Sequence, residues 1–424
     1  MPLLTQAKKA FEHSFGYALA VAAFFWRRML PNTTFIAITG SNGKTTAAAL
    51  CASILAGQAP TIRSAHRNNL NGISHTLLRA RPRHRFVVVE VGISRPSQMR
   101  KYAWLLRPDI AVVTGVALEH TARFKEIRSG AGEKEKLLLG LPKHGVAVLN
   151  ADNPWTAEMR PPEGRSSIWF GLAAGSDVSA ESVEARWPGR LRFRAKIGEE
   201  SVAIETQFVG MHWTQSTLAA LGGALACGVP LAATVAPVRR LAPRNARLEP
   251  VSAPSGATFL RDDHNGSMPT TEVAFATMEG ARAERKFVVT GDYAGLPDEE
   301  KVRRQRLGRM AAEIFDVAVF VGELASVSAE AARQAGMSGE AVKAFLWPED
   351  AALFLREELR SGDLVLLRGL VAEHLTRILY RQFGEVGCWA SDCGRRTQCD
   401  SCPELRVAPQ EPLPVQISRG WQGA

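Results

Sequence analysis

Short unbroken apolar runs, separated by segments with helical spacing, set the rhythm of the first half of the chain. Residues 86–91 (FVVVEV) and 110–114 (IAVVT) are rich in Val and Ile and do not alternate with polar positions. That pattern predicts strands buried on both faces of a parallel sheet. The rhythm continues through 146–150 and 168–171. Over 175–210 the pattern changes to alternation, as in RLRFRAKI and VAIETQF, which predicts antiparallel strands extending the sheet. A helix is predicted over 213–227. The Pro- and Arg-rich stretch 231–256 breaks the pattern and places a boundary near residue 243. Beyond it the strand and helix rhythm restarts, with strands predicted at 258–260, 287–290, 317–321, 344–346 and 364–367. The fold class expected is α/β: a central domain with a parallel sheet at 35–243 and a smaller doubly wound domain at 244–384. An apolar helix within 1–34 precedes them. A four-cysteine segment at 385–403 and a Pro-containing tail at 404–424, expected to be extended or without structure, follow.

Composition changes this picture little. The 424 residues are 46% hydrophobic and 22% charged, which is ordinary for a globular chain. The 52 Lys and Arg against 42 Asp and Glu give a net charge of +10, suited to an acidic small molecule. No dense basic run interleaved with aromatics occurs, so nucleic acid is not expected as a partner. The most apolar stretch, residues 15–26 (FGYALAVAAFFW), is too short to span a membrane and lacks a small-residue cleavage site after it. It is expected to pack on the first domain, with peripheral contact at the inner membrane face as the alternative for an otherwise cytoplasmic protein.

The chemistry is concentrated at residues 35–50, FIAITGSNGKTTAAAL. An apolar strand runs into a glycine-rich turn, then Lys-Thr-Thr, then an Ala-rich helix. Gly40 and Gly43 allow the backbone N–H groups and the positive helix end to face an anion. Lys44 can reach the outer phosphates, and the Thr45 hydroxyl is placed for Mg²⁺. The general Walker pattern asks for Gly where this chain has Ile38. The form present, T-G-x-N-G-K-T-T, resembles that of the Mur ligase superfamily, which joins a carboxylate to an amine at the expense of ATP.

The resemblance extends over roughly residues 35–380 and implies a site. It adds Asn42 and Thr46 to the nucleotide-binding residues. The Asn-rich segment 66–78 is similar to the family's turn after the P-loop helix, and Glu90 to its acidic Mg²⁺ ligand. Residues 114–120 (TGVALEH) resemble T-N-x-x-x-D-H, with Gly115 in place of the Asn and His120 retained as a ligand of a second Mg²⁺. Lys134, with Lys136 as the alternative, corresponds to the lysine that is carbamylated and becomes an anionic metal ligand. Asn150 and Asp152 match the following N-A-D turn. Residues 210–220 keep His212 but carry Trp213 and Ser216 where the family has asparagines, so base recognition is expected to differ, through Trp213 stacking. Arg247 is implied as a phosphate ligand arriving from the second domain, Asp262 or its neighbour Asp263 as the ribose ligand. Gly291-Asp292 and Arg368-Gly369 correspond to G-D and K-G in the branch that adds a dipeptide to a muramoyl-peptide. Lys44, Glu90, His120 and Lys134 are therefore the expected catalytic set. The short stretch before residue 35 leads to the expectation that the N-terminal domain gripping a uridine nucleotide in the cell-wall enzymes is lacking.

Two further features stand apart. Cys388, Cys393, Cys399 and Cys402 lie within fifteen residues and offer four thiolates for Zn²⁺, or for an iron–sulfur cluster. Cys51 and Cys227 read as buried small hydrophobes. The function expected is an ATP-dependent ligase that forms an amide between a carboxylate acceptor and an amino acid or amine through an acyl phosphate. A nucleotide-binding scaffold or amidotransferase-complex subunit acting on a cell-envelope or polymer precursor is the alternative, and a kinase stopping at phosphoryl transfer is a third.

Overall fold

The computed structural model describes residues 16–64, 68–117, 126–243, 246–264, 266–293, 299–391, 393–394 and 399–409. The chain forms two compact units. The first comprises the chain up to Glu184 with 191–207 and 212–241, and the second comprises 185–190, 208–211 and the chain from Ala242 onward.

The first unit is built on nine strands: β1 (Thr34–Thr39), β2 (Thr61–Arg63), β3 (Phe86–Glu90), β4 (Ile110–Val113), β5 (Val146–Asn150), β6 (Ser166–Gly171), β7 (Val178–Glu184), β8 (Arg192–Ile197) and β9 (Glu200–Glu205). Their order in the sheet is β2-β3-β1-β4-β5-β6-β7-β8-β9. Strands β2 to β7 pair in parallel and β7, β8 and β9 antiparallel. The apolar runs form β1, β3 and β4 because helices cover both faces, and β4 is buried along its whole length. Helices Lys44–Ala56 and Trp213–Leu225 lie together on one face. A cluster including Phe35, Val87, Val89, Leu105 and Leu149 fills the other. The first helix, residues 16–28, joins this cluster through Ala23, and Ala20, Phe24 and Trp26 pack against it.

The second unit holds β10 (Glu249–Ser252), β11 (Thr258–Asp262), β12 (Lys286–Thr290), β13 (Val317–Val321), β14 (Val342–Phe345) and β15 (Leu364–Arg368) in the order β10-β11-β15-β12-β13-β14. All pairs are parallel except β10 with β11. Alternate residues of β12 enter two separate cores: Phe287 and Val289 on one face, Val288 on the other.

The tail departs from expectation. Residues 407–409 return as β17 (Val407–Pro409) and pair antiparallel with β16 (Gly384–Val386), while Leu405 and Val407 are buried in the second unit's core. The burial of two apolar side chains offsets the ordering of a short Pro-bearing strand.

Helices Glu300–Ile314 and Ala325–Gln334 approach with no room for a side chain at Gly308, where a Cβ would lie 2.1 Å from the Ser328 carbonyl oxygen. Gly308→Ala is expected to cost about 1–3 kcal/mol by forcing the pair apart. Calorimetry should show a melting transition lowered by several degrees; an unchanged transition would mean that the pair slides apart without penalty.

Candidate active site

In a parallel sheet the C-terminal strand ends share one edge, and here that edge gathers the chemistry. Ile38 of β1 is level with Glu90 of β3, and Thr39 with Val113 of β4. The turns after these strands are therefore neighbours.

The turn after β1 has φ +145° at Gly40 and +81° at Gly43, values that side-chain-bearing residues rarely adopt. Space is equally restrictive. A Cβ on Gly40 would fall 2.0 Å from Thr114 Oγ1, and one on Gly43 would fall 2.5 Å from Ser216 Oγ. Hydrogen bonds lock the turn to the loop after β4. Thr114 Oγ1 donates to the Asn42 carbonyl at 2.6 Å, and Ser41 N–H to the Gly115 carbonyl at 2.8 Å. Ser41 Oγ accepts from Ala117 N–H at 2.8 Å. Helix Lys44–Ala56 then begins with no side-chain cap and no acidic residue in its first turn. Its amide donors are left to an anion, which is the arrangement a nucleotide phosphate requires. Lys44 Nζ lies 2.6 Å from the carbonyl oxygens of both Gly40 and Ser41, so its charge is held over the turn. Thr45 and Thr46 follow it, both half-buried.

Glu90 is half-buried at the end of β3 and accepts from Asn68 Nδ2 at 2.9 Å. A carboxylate at the end of β3 and the Thr45 hydroxyl in the first turn of the helix that follows β1 are hard oxygen donors that suit Mg²⁺. Lys134 is buried at 4% exposure on helix Ile127–Glu135. Its alternative, Lys136, is more open and bound to Glu133 at 2.6 Å. Burial works to raise the Glu133 carboxyl, but hydrogen bonds from Lys136 and the Met99 N–H prevail and lower it. His120 falls within residues 118–125, outside the described residues.

The loop after β4 explains one departure from the family motif. Gly115 sits at φ +149°, a conformation that side-chain-bearing residues rarely adopt, so an Asn there would be strained. Asn150 Nδ2 donates to the Thr114 carbonyl at 2.8 Å, and Asp152 accepts from the Leu172 and Ala173 N–H groups. Trp213 does not stand open as a stacking platform. It is 7% exposed and its ring lies against His212, because the first turn of its helix packs into the unit. Thr114 and Asn68 have structural parts here that were not individually expected; the signals available were a polar residue directly after buried β4 and the Asn-rich segment 66–78.

In the second unit, Arg247 lies between Ala246 and Leu248, both at positive φ, and its Nε is buried with no hydrogen-bond partner among the described residues. Asp262 ends β11 and is ion-paired with Arg368, itself almost fully buried and bound to Thr270 and Thr271. Burial raises the Asp262 carboxyl to about 6, against the pull of Arg368 and Arg247. Asp263 pairs with Arg261 at 3.4 Å. Arg261 also makes contacts of 2.7 and 3.1 Å with Asp400, which accepts from Tyr380 Oη at 2.9 Å. Asp400 lies in the cysteine segment, between Cys399 and Cys402. The His374 ring lies against two of the four thiols, Nε2 at 3.3 Å from Cys393 Sγ and Nδ1 at 3.3 Å from Cys399 Sγ. Among the described residues no three His, Cys, Asp or Glu side chains are placed to hold a metal ion. Cys51 is buried and Cys227 partly so, and burial raises both thiols, that of Cys227 to about 12.

Glu373 joins two loops at the strand ends of the second unit, accepting from Asp292 N–H at 2.6 Å and Leu370 N–H at 2.7 Å. Burial pushes its carboxyl up from 4.5 to about 7 despite these donors. The folded state therefore holds a proton that the unfolded chain releases, so this contribution to stability is complete below pH 4.5 and is lost as pH rises to about 7. Urea unfolding at about pH 4.5 and about pH 7.5 should show a smaller loss of stability in Glu373→Gln than in the unmodified protein. Equal losses would show that Glu373 titrates normally.

Comparisons with known proteins agree with this geometry. The family model described as Mur ligase middle domain matches residues 38–224, and that described as Mur ligase, glutamate ligase domain matches 246–370. The UDP-N-acetylmuramoyl-tripeptide–D-alanyl-D-alanine ligase of Escherichia coli is 30% identical over 68% of this chain, an alignment spanning 64% of that enzyme. The crystal structure of MurF from Acinetobacter baumannii superimposes with a TM-score of 0.79 at 26% identity, covering 87% of this chain and 80% of that one. The MurF ligase of Thermotoga maritima in complex with ADP gives 0.72 at 19% identity, covering 86% and 82%, a likeness of fold. Together the two family models cover well over half of the chain, which belongs to the Mur ligase family and carries its middle and glutamate ligase domains.

Proposed function

We propose that this protein is a MurF-like ATP-dependent ligase joining a carboxylate to the amine of an amino acid or short peptide. The observation that carries the reading is the uncapped start of helix Lys44–Ala56, framed by Gly40 and Gly43, with Glu90 at the adjoining strand end. A carboxylate does not condense with an amine unaided. Its oxygen first attacks the γ-phosphorus of ATP, giving an acyl phosphate and ADP. The amine nitrogen then attacks the acyl carbon, and phosphate leaves with the C–O electron pair. The Escherichia coli relative is named for joining UDP-N-acetylmuramoyl-tripeptide to D-alanyl-D-alanine. The acceptor here is accordingly proposed as a cell-envelope or polymer carboxylate, modified in the cytoplasm where ATP is supplied.

The residues take roles in this scheme. Gly40, Asn42 and Gly43 present their backbone N–H groups to the phosphates, that of Ser41 being given to Gly115, and Lys44 and Arg247 neutralise the charge that develops during transfer. Thr45, Glu90 and His120 supply oxygen and nitrogen donors for Mg²⁺, which screens the phosphates when bound. Thr46 completes the first turn, and Asp262 is the ribose ligand. Buried Lys134 holds the position of the carbamylated lysine. Four thiolates at Cys388, Cys393, Cys399 and Cys402 have the donor chemistry for Zn²⁺ or, alternatively, an iron–sulfur cluster.

Two measurements test these roles. ADP release should rise with an amine from a panel of amino acids and dipeptides, and Lys44→Ala should lower that turnover by about a hundredfold or more. Turnover surviving in Lys44→Ala overturns the assignment, while ATP binding with no stimulation by any amine favours the scaffold reading. Elemental analysis of protein purified without chelator should find about one zinc per chain; none overturns the metal assignment and leaves the ligase reading intact.

A further inference from the structure

The first helix presents to solvent a face without a single charge. Across residues 16–28 every exposed position is apolar or aromatic: Tyr17, Ala18, Val21, Ala22 and Phe25, continued by Met29. Phe25 and Met29 are 62% and 67% exposed. The two charges of this helix are turned away from the face. Arg27 is buried, donating to the Leu106 and Arg107 carbonyls and pairing with Asp109 at 3.1 Å. Arg28 lies over the Phe24 ring at 3.2 Å and donates to the Phe24 carbonyl. Beside this face, Phe24 stacks on Trp104 at 3.9 Å, and Trp104 is itself 62% exposed. Trp104 belongs to helix Gln98–Leu106, whose exposed positions are Arg100, Lys101 and Trp104, with exposed Arg107 following. The spacing of three and four residues puts these cations in one row around the tryptophan.

Globular surfaces rarely leave an apolar strip of this kind uncovered, and a cationic rim selects what covers it. Residues 16–108 contain thirteen Lys and Arg but one acidic residue, Glu90. A second copy of the chain would set two such rims against each other. An anionic lipid surface would attract them while the apolar strip entered the acyl boundary. At about 1.5 Å per residue the described helix is roughly 20 Å long, short of a bilayer core and suited to lying in its plane. No described helix is long and apolar enough to cross a membrane.

We propose that the helix face Tyr17–Val21–Phe25–Met29, with Trp104, Arg100, Lys101 and Arg107, docks the first unit on an anionic phospholipid bilayer. The docked strip starts beside the active site. A Cβ on Gly16 would lie 2.7 Å from Asn71 Oδ1, three residues from the Asn68 that donates to Glu90. Neither the face nor its rim includes a residue of the proposed catalytic machinery.

Co-sedimentation with vesicles of phosphatidylglycerol and phosphatidylcholine, and with phosphatidylcholine alone, tests the proposal. The full chain should partition onto the anionic vesicles about tenfold or more better than onto the neutral ones. Phe25→Ser with Met29→Ser should lower partitioning on both by about tenfold. Arg100→Glu with Lys101→Glu should remove the preference for anionic lipid, leaving weak binding to neutral vesicles unchanged. Circular dichroism and ATP binding like those of the unmodified chain would confirm that both variants fold. Three results overturn the proposal: no sedimentation of the unmodified chain with anionic vesicles, sedimentation that both folded variants retain, or a dimer in ultracentrifugation that Phe25→Ser with Met29→Ser dissolves.

Discussion

The turn after β1 lies so close to the loop after β4 that no side chain fits between them. Gly40 meets Thr114, Gly43 meets Ser216, and Ser41 and Asn42 are hydrogen-bonded into residues 114–117. This contact sets the direction of the peptide N–H groups before any ligand arrives, and a preorganised donor array loses no reorganisation energy when charge develops against it. It also decides which substitutions the surrounding positions accept. Ser216 can be no bulkier without reaching the turn, and Gly115 needs the positive φ that lets its carbonyl face Ser41.

The second unit relies on a different constraint, the pairing of buried charge. Arg261 is held between Asp263 and Asp400, and Arg368 between Asp262 and two threonine hydroxyls. Such groups stabilise little in net terms but are costly to separate, so they specify one arrangement of the loops at the strand ends. Asp400 extends that arrangement into the cysteine segment, which is anchored to β11 through a carboxylate. Residues Glu373 and His374 add two further ties, Glu373 holding the loop at Asp292 and His374 lying against Cys393 and Cys399.

The parallel strands were legible in the sequence because burial on both faces leaves unbroken Val and Ile runs, and β3, β4, β5 and β13 follow those runs closely. Strands β10 and β17 were not, since EPVS and VAP are short, contain proline and lie at sheet edges where little periodicity develops. The departures at Gly115, Trp213 and Ser216 were visible as departures. Their meaning was not, because each concerns a neighbour distant in the chain: Ser41, the packed interior beside His212, and Gly43.

Local chemistry could be read directly from residue order. Glycines, a lysine and threonines in one turn make a phosphate cradle through covalent geometry and hydrogen-bond donors, wherever the turn is placed. The environments of Lys134 and Lys136, by contrast, are not written in residue order: they are two residues apart on one charged segment, and only the fold buries the first and gives the second to Glu133. Likewise, an apolar stretch at residues 15–26 announces a helix, but which of its side chains face water is settled by the sheet it rests on. Sequence specifies what a residue can do; its environment, assembled from segments tens of residues away, decides which of those possibilities is open.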